Sequence, residues 1–417
     1  MVIVHAKDTD KELETLKVES LPHEGRIAIK LKGQPLDLDV YEASEVLTNK
    51  HFQDFEMDEF ERFYLPECMR PFADLIPIGT KTFVADDNRG AVSTLPCLEL
   101  DGTDFYLSVK GVGSTTNPFS QQLLGKAEIC GLLKSAGLID RVVNSEEKAP
   151  RYITGELWLR GSPYGGQGRK HATTSMRASE MADVTSIHGF RIAPIVKINF
   201  LPEDLERKIK EVYWYRRFPG RIVQETRLVP SNVRIYFHSG STVGSNISEI
   251  YKLFEIDENE KALEFLKNFV RSGIAFLTLF TRSMRSEEDG TVSGLDFYDV
   301  WLDKDAVLAP DGTVYFVDLE GLEWINVSAE KVHEKIDDQI YRSLYEFMYA
   351  YEQIERERSR RFGSQIERKA QFEYLLKEAL KDDDVVQVAR EGNHLKLVLG
   401  NILGEKRLMK DFPIIDW

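Results

Sequence analysis

Cysteine is scarce in this chain: Cys68, Cys97 and Cys130 are the three present in 417 residues, and no two stand at a spacing used for metal ligation. A sparse, odd set argues against a disulfide framework and fits a reducing compartment, so a cytoplasmic location is expected. No uninterrupted apolar stretch reaches about 18 residues, so no transmembrane helix and no membrane partner are expected. The segment Met1 to Glu14 is polar and charged, without the basic region and apolar core of a signal peptide. The eight histidines are scattered and form neither an HExxH nor a paired-ligand motif. Basic residues are outnumbered: 54 Lys and Arg against 69 Asp and Glu give a formal charge of −15. A general nucleic-acid binder presents a basic surface, so nucleic acid is not an expected partner. A locally basic pocket for an anionic ligand stays open. Internal repeats and low-complexity tracts are absent as well.

What is present is ordinary globular material, 42% hydrophobic and 29% charged. Turn signals cut the first part into short β-like runs. Asp86-Asp-Asn-Arg-Gly90 reads as a loop and Asp101-Gly102 as a turn between strands. Phe105 to Val109 alternates as a strand and runs into Lys110-Gly-Val-Gly113. The pattern predicts a helix from Thr173 to His188, a strand from Ile192 to Phe200 that contains Pro194, and a strand from Arg221 to Arg227. Lys261 to Met284 is apolar on nearly every face and predicts an interior helix. Thr313 to Val317 is a short β run. Ser328 is the expected N-cap of a long amphipathic helix carrying Val332, Ile336, Ile340, Leu344, Phe347 and Tyr351. A further helix is expected around Gln371 to Leu380. Strands dominate the first half and helices the second, which predicts an α+β protein of two lobes. The charged run Glu355 to Arg361 is expected at the exposed end of the long helix, with a partner-binding face as the alternative. Asp382-Asp-Asp384 is expected in a solvated turn.

Three constellations bear chemistry. Asp303 and Asp305 precede a short apolar run and a Pro-Asp-Gly turn, after which a second strand delivers Asp318 beside Leu319-Glu-Gly321. A hairpin there brings Asp318 to the earlier carboxylates. Magnesium takes one or two carboxylates, with phosphates and water completing its shell, so Asp318 is a candidate ligand; the plain alternative is a surface hairpin with solvated acids. Lys110, ending a strand before Gly111 and Gly113, can meet phosphate through charge and backbone N–H groups, or be a strand followed by a simple turn. Arg227 and Arg234, across a Pro-Ser break, can converge on one anion, or be two surface arginines.

In order along the chain, these motifs resemble the selenoprotein O family, whose members have a protein-kinase-like fold. The family's Leu-Lys-Gly-Ala-Gly-Arg-Thr-Pro-Tyr-Ser-Arg is similar to Val109-Lys-Gly-Val-Gly-Ser-Thr followed by Thr116-Asn-Pro-Phe-Ser-Gln121. Its Ser-Ile-Arg-Glu helix and Gly-Ile-Pro turn look like Ser175-Met-Arg-Ala-Ser-Glu180 and Gly189-Phe-Arg-Ile-Ala-Pro194. Its Arg-x-Ala-Pro-Ser-x-x-Arg is similar to Arg227-Leu-Val-Pro-Ser-Asn-Val-Arg234, with the spacing kept. Asp303-Lys-Asp305 and Asp318-Leu-Glu-Gly321 stand where the family has Asp-Asn and Asp-Tyr-Gly.

The resemblance covers residues 100 to 325 in patches. It implies a bilobal kinase-like fold: a β-rich extension or part of the N-lobe over 1–100, the N-lobe over 101–240, and a helical C-lobe over 241–417. It implies transfer of AMP, or of phosphate, from ATP to a hydroxyl acceptor on a protein or small molecule, with Mg2+ or Mn2+. Lys110, Gly111 and Gly113 would meet the phosphates, and Lys110 would pair with Glu180, or with Asp183 in its stead. Arg227 and Arg234 would bind phosphates, Asp303 would be the base with Asp299 its rival, and Asp305 and Asp318 would hold the metal. Lys304 replaces the family's asparagine, which leaves a catalytically inactive ATP-binding scaffold as one alternative. Asp318-Leu-Glu-Gly321 also looks like the motif of antibiotic-kinase-like proteins, which leaves a small-molecule phosphotransferase as another. The stretch Arg160 to Gly168 reads as a phosphate-covering loop or a linker.

Overall fold

The computed structural model describes residues 31–32, 35–66, 76–86, 90–100, 102–112, 167–181, 187–212, 220–235, 247–298, 302, 305–363, 367–391, 394–400 and 408–412. They divide into two compact units. Residues up to Glu180 and from Pro194 to Asn232 form the first, and those from Met181 to Ala193 and from Val233 onward form the second. Among the described residues no helix is long and apolar enough to cross a membrane.

The first unit is built on an antiparallel sheet. Its strands are β1 (Pro35–Glu42), β2 (Glu45–Thr48), β3 (Arg62–Pro66), β4 (Gly79–Asp86), β5 (Gly90–Leu100), β6 (Thr103–Lys110), β7 (Gln167–Gly168), β8 (Ile195–Phe200) and β9 (Ile222–Val229). They are ordered β2-β8-β9-β6-β5-β4-β1-β3, with β7 also paired to β9. Strands from both sides of residue 100 thus share one sheet, and the expected division there falls inside it. β4 pairs with β5 from Asp86 opposite Gly90, with residues 87–89 of the first turn signal outside the described residues, and Gly102, with φ +74°, leads into β6. β8 begins only after Pro194, which has no N–H for a ladder; the Pro194 carbonyl accepts from Leu228 N–H at 3.1 Å. All eight positions of β9 are buried, the signature of a central strand covered on both faces.

Helix α1 (Arg169–Ser179) packs on this sheet through Ala172 and Met176 against Ile195, Ile198, Phe200 and Val223. It starts before the predicted Thr173 and stops well before His188. Its last residue is the reason: the buried Ser179 hydroxyl accepts from Ile195 N–H at 3.1 Å and from Asn49 Nδ2 at 3.2 Å, which fixes the helix end on β8. A second helix, α2 (Glu203–Val212), follows β8.

In the second unit, α3 (Ile247–Leu253) leads to α4 (Asn259–Leu277) and α5 (Leu279–Ser283). The single helix predicted over 261–284 is broken at Thr278, whose hydroxyl donates to the Ile274 carbonyl at 2.6 Å; such back-bonding bends helices. Nor is α4 apolar all round, because Glu260, Lys261 and Glu264 face solvent while every residue from Ser272 to Leu277 is buried. Long helix α6 (Val332–Phe362) crosses α4 with Phe347 stacked on Phe269 at 5.7 Å. α7 (Arg368–Ala379) completes the helical layer, its Ala379 carbonyl accepting from Arg271 Nε at 3.2 Å. Ser328 makes no side-chain capping bond; a 3₁₀ turn, Ala329–Lys331, lies between it and α6.

The second half is less purely helical than predicted. It carries β10 (Arg285–Ser286), β11 (Thr291–Phe297) and β14 (Leu322–Ser328) as one sheet, the hairpin β12 (Ala306–Leu308) and β13 (Val314–Phe316), and β15 (Val386–Glu391), β16 (His394–Leu399) and β17 (Leu408–Phe412) as another.

The charged run at the end of α6 is not a solvated face. Glu355, Glu357 and Arg358 are 2%, 9% and 4% exposed. Arg358 grips both Glu355 oxygens at 2.7 Å and reaches Asn259 Oδ1 at 2.8 Å. Arg361 bonds Glu357 at 2.6 Å and the Ser248 carbonyl at 2.9 Å, tying α6 to α3. Asp383 is likewise buried and bonded to Arg282 at 2.6 Å, whereas its neighbours Asp382 and Asp384 are exposed.

Glu357 is held at about 2, well below its ordinary 4.5, first by the Arg360 hydrogen bond, against the opposing effect of burial, and then by Arg361. A depressed folded-state pKa stabilises above the unfolded value and loses that contribution as pH falls through the folded one. The stability difference between wild type and Glu357→Gln should therefore shrink between about pH 4.5 and pH 2 in urea titrations. A difference unchanged across that window would contradict the assignment.

Candidate functional site

In the first unit a polar cluster lies on one face of the sheet. The β6–β9 register sets Ser108 opposite Arg227 and Lys110 opposite Glu225. Cross-strand partners share a face, as do residues two apart on one strand, so these four line the same side. β7 adds Gln167, which stands opposite Val223. The Gln167 amide donates to one Glu225 oxygen and Arg227 Nη2 to the other. Both Glu225 oxygens are thus engaged, and the residue is fully buried. The buried Gln167 Oε1 has no hydrogen-bond partner among the described residues.

Gly111 lets the chain leave β6 beside this cluster. Its φ is +102°, and a Cβ there would lie 2.9 Å from the Val223 carbonyl oxygen and 3.2 Å from Gln167 Cβ. A side chain would wedge β7 away from β9, so the position requires glycine. The Gly111 carbonyl accepts from Gln224 Nε2 at 3.3 Å.

In the second unit the β12–β13 hairpin pairs Ala306 with Phe316 and Leu308 with Val314. Its open end brings two of the predicted acids together. The Asp305 carbonyl accepts from Val317 N–H at 2.8 Å and from Asp318 N–H at 3.4 Å. Asp305 is buried and Asp318 half-buried. Residues 191–193 border the hairpin: Phe316 N–H donates to the Arg191 carbonyl at 3.1 Å, and Ala193 N–H to the Phe316 carbonyl at 2.8 Å. Leu308 N–H donates to the Val233 carbonyl at 2.8 Å, so the residue before Arg234 is pinned to β12.

The predicted residues therefore fall as follows. Lys110, Gly111 and Arg227 gather in the first unit; Arg234, Asp305 and Asp318 belong to the second. Arg227 and Arg234 are 3% and 8% exposed, which removes the reading of two surface arginines. Glu180 does not serve Lys110: its carboxylate accepts from Lys50 N–H at 3.0 Å and its carbonyl bonds His51 Nε2 at 2.9 Å. It closes the 3₁₀ turn Lys50–Phe52 because α1 ends on that side of the sheet. The carboxylate opposite Lys110 is Glu225, which sequence reasoning missed. A signal for it exists: in a strand, Glu225 must share the face of Arg227, two residues on. Gly113, Asp183, Asp299, Lys304 and Asp303 lie outside the described residues, as does the stretch from Arg160 up to β7.

No family model matches the chain, and no curated protein matches it. The complex structure of Rv3197 and erythromycin from Mycobacterium tuberculosis is similar at 14% identity, covering 82% of this chain and 68% of that one, with a TM-score of 0.22. A likeness of that score carries neither fold nor function across.

Among the described residues no group of three or more His, Cys, Asp or Glu is gathered as a metal site. Magnesium does not require one, since a pair of carboxylates suffices when substrate phosphates and water supply the other oxygens. Asp305 and Asp318, adjacent through one shared carbonyl, have the hard oxygen donors for that role. Lys110 and Arg227 have the cationic donors for phosphate.

Proposed function

We propose that the chain is an ATP- and Mg2+-dependent transferase of bilobal, protein-kinase-like fold, moving AMP or a phosphoryl group to a hydroxyl acceptor. The observation that carries the reading is the Asp305 carbonyl bonded to the N–H groups of both Val317 and Asp318. It joins two acids 13 positions apart in sequence at the mouth of one hairpin. On this reading Asp305 and Asp318 hold Mg2+ or Mn2+, and the metal, when bound, neutralises phosphate charge as it develops. Lys110 and Arg227 of the first unit, and Arg234 of the second, each carry the cationic group that binds phosphate oxygens. Gly111 and Gly113 let the backbone approach them. Asp303 accepts the proton of the attacking hydroxyl. Positioning and electrostatics do most of the work. A second reading, an ATP-binding scaffold without transfer, is favoured by Lys304 in place of an amide ligand beside Asp303.

Isothermal titration with ATP should show binding that depends on MgCl2. Asp318→Ala should weaken that binding by about 100-fold or more, since even indirect metal partners are worth 10–100-fold. Wild-type protein that binds no ATP sinks the whole reading; an Asp318→Ala protein that binds as well as wild type sinks the metal assignment. Label transferred from α-labelled ATP identifies AMP transfer, and from γ-labelled ATP phosphorylation. ATP binding with neither label transferred leaves the scaffold.

A further inference from the structure

The outward side of α6 is rich in aromatic residues. The core side is already filled by Ile336, Ile340, Leu344, Phe347, Met348 and Tyr351. Tyr341, Tyr345 and Tyr349 are spaced four apart, so they form a stripe along one side of the helix. Tyr341 and Tyr345 are 59% and 68% exposed. The Tyr345 and Tyr349 rings stack with centroids 6.2 Å apart. Tyr298, at the end of β11 and 47% exposed, belongs to the same surface, because Arg342 Nη1 donates to the carbonyl of its neighbour Phe297 at 3.1 Å. Glu346, on the next turn of the helix, accepts from Leu302 N–H at 3.1 Å.

Acids outnumber bases around these rings. Glu334, Asp337 and Asp338 precede the stripe, Glu346 lies within it and Glu352 ends it. The nearby bases are engaged: Lys335 bonds Asp296 at 2.6 Å, Arg342 bonds Asp338 at 2.6 Å, and Arg356 pairs with Glu352.

We propose that this tyrosine stripe is a docking surface for a lysine- and arginine-rich segment of a partner protein. Exposed π faces bind ammonium and guanidinium groups, and the acids attract the same groups and repel acidic partners. Tyrosine gives large contact area for little lost rotamer freedom, which is why it recurs at the centres of interfaces. A second copy of the chain would set the same acids against themselves across a two-fold axis, so self-association is disfavoured.

The test uses the full chain and a fluorescein-labelled peptide of alternating arginine and glycine-serine, read by anisotropy, with a glutamate-for-arginine peptide as control. ATP is left out, so failure of the transferase reading leaves the result untouched. The basic peptide should bind and the acidic one should not. The double variant Tyr341→Ala/Tyr345→Ala should weaken binding at least about tenfold, as expected for central aromatic contacts. Tyr341→Phe/Tyr345→Phe, which keeps the π faces, should bind like wild type. All acids remain in these variants, so loss in the alanine pair alone separates ring contacts from general attraction. Unchanged melting curves confirm that the variants fold. Equal binding by wild type and the alanine pair overturns the proposal. So does dimerisation in sedimentation that the alanine pair abolishes, which would make a second copy the occupant.

Discussion

Gly312→Ala should lower the melting midpoint of the protein by about 10 °C or more, an effect on the order of 4 kcal/mol. Gly312 ends the Pro310-Asp311-Gly312 turn of the β12–β13 hairpin, and its N–H donates to the Ala309 carbonyl at 2.9 Å. Its φ is +92°, where an L side chain is strained, and a Cβ would come within 2.1 Å of the Phe265 carbonyl oxygen. That oxygen belongs to the main chain of α4, so it cannot rotate away as a side-chain end would. The turn is held on α4 elsewhere too: Asn268 Nδ2 donates to the Asp311 carbonyl at 3.0 Å and Val314 N–H to Ser272 Oγ at 3.2 Å. Relief of the clash must lift the hairpin, and with it the shared carbonyl that joins Asp305 to Asp318. Gly290 is the control. Its φ is +79° but nothing lies within 4 Å of an added Cβ, so Gly290→Ala should cost only the backbone term, about 1 kcal/mol. Circular dichroism melts of the two variants decide it. A Gly312→Ala protein that melts with Gly290→Ala would show that the close approach to Phe265 does not exist.

A feature of this chain is legible in its sequence when the residues that make it are close neighbours along the chain. Strands β6, β8 and β9 were legible because alternation and turn residues are local. So was the hairpin of Asp305 and Asp318, whose Pro-Asp-Gly turn is written in consecutive residues. Apart from the break at Thr278, which is a local effect, the misreadings depend on distant partners. The long apolar helix breaks at Thr278 because a hydroxyl competes for a backbone carbonyl. The run Glu355 to Arg361 looks like a solvated helix end until Asn259 and Ser248, about a hundred positions away, are placed against it. Glu180 was the natural partner for Lys110 as an acid at the end of a helix, but it is spent on Lys50. Register between β6 and β9 sets Glu225 opposite Lys110, and no spacing within either strand states that register.

Glu225 therefore bears the second large prediction. Glu225→Ala should destabilise the protein by about 3–5 kcal/mol, because it breaks the buried ion pair with Arg227 and leaves the Gln167 amide without its Glu225 acceptor. Low dielectric makes the loss of one partner far more costly than the pair is worth. The double variant Glu225→Leu/Arg227→Met removes both charges and keeps similar volume, so it should recover most of that loss, as replaced buried ion pairs commonly do. Stability and function then separate. If Arg227 binds phosphate, the stable double variant should still lose ATP affinity, whereas a purely architectural ion pair would leave it intact. Urea unfolding and ATP titration on the same three proteins give both answers. A double variant as unstable as Glu225→Ala would refute the ion-pair account; a stable one that binds ATP like wild type would remove Arg227 from the phosphate site.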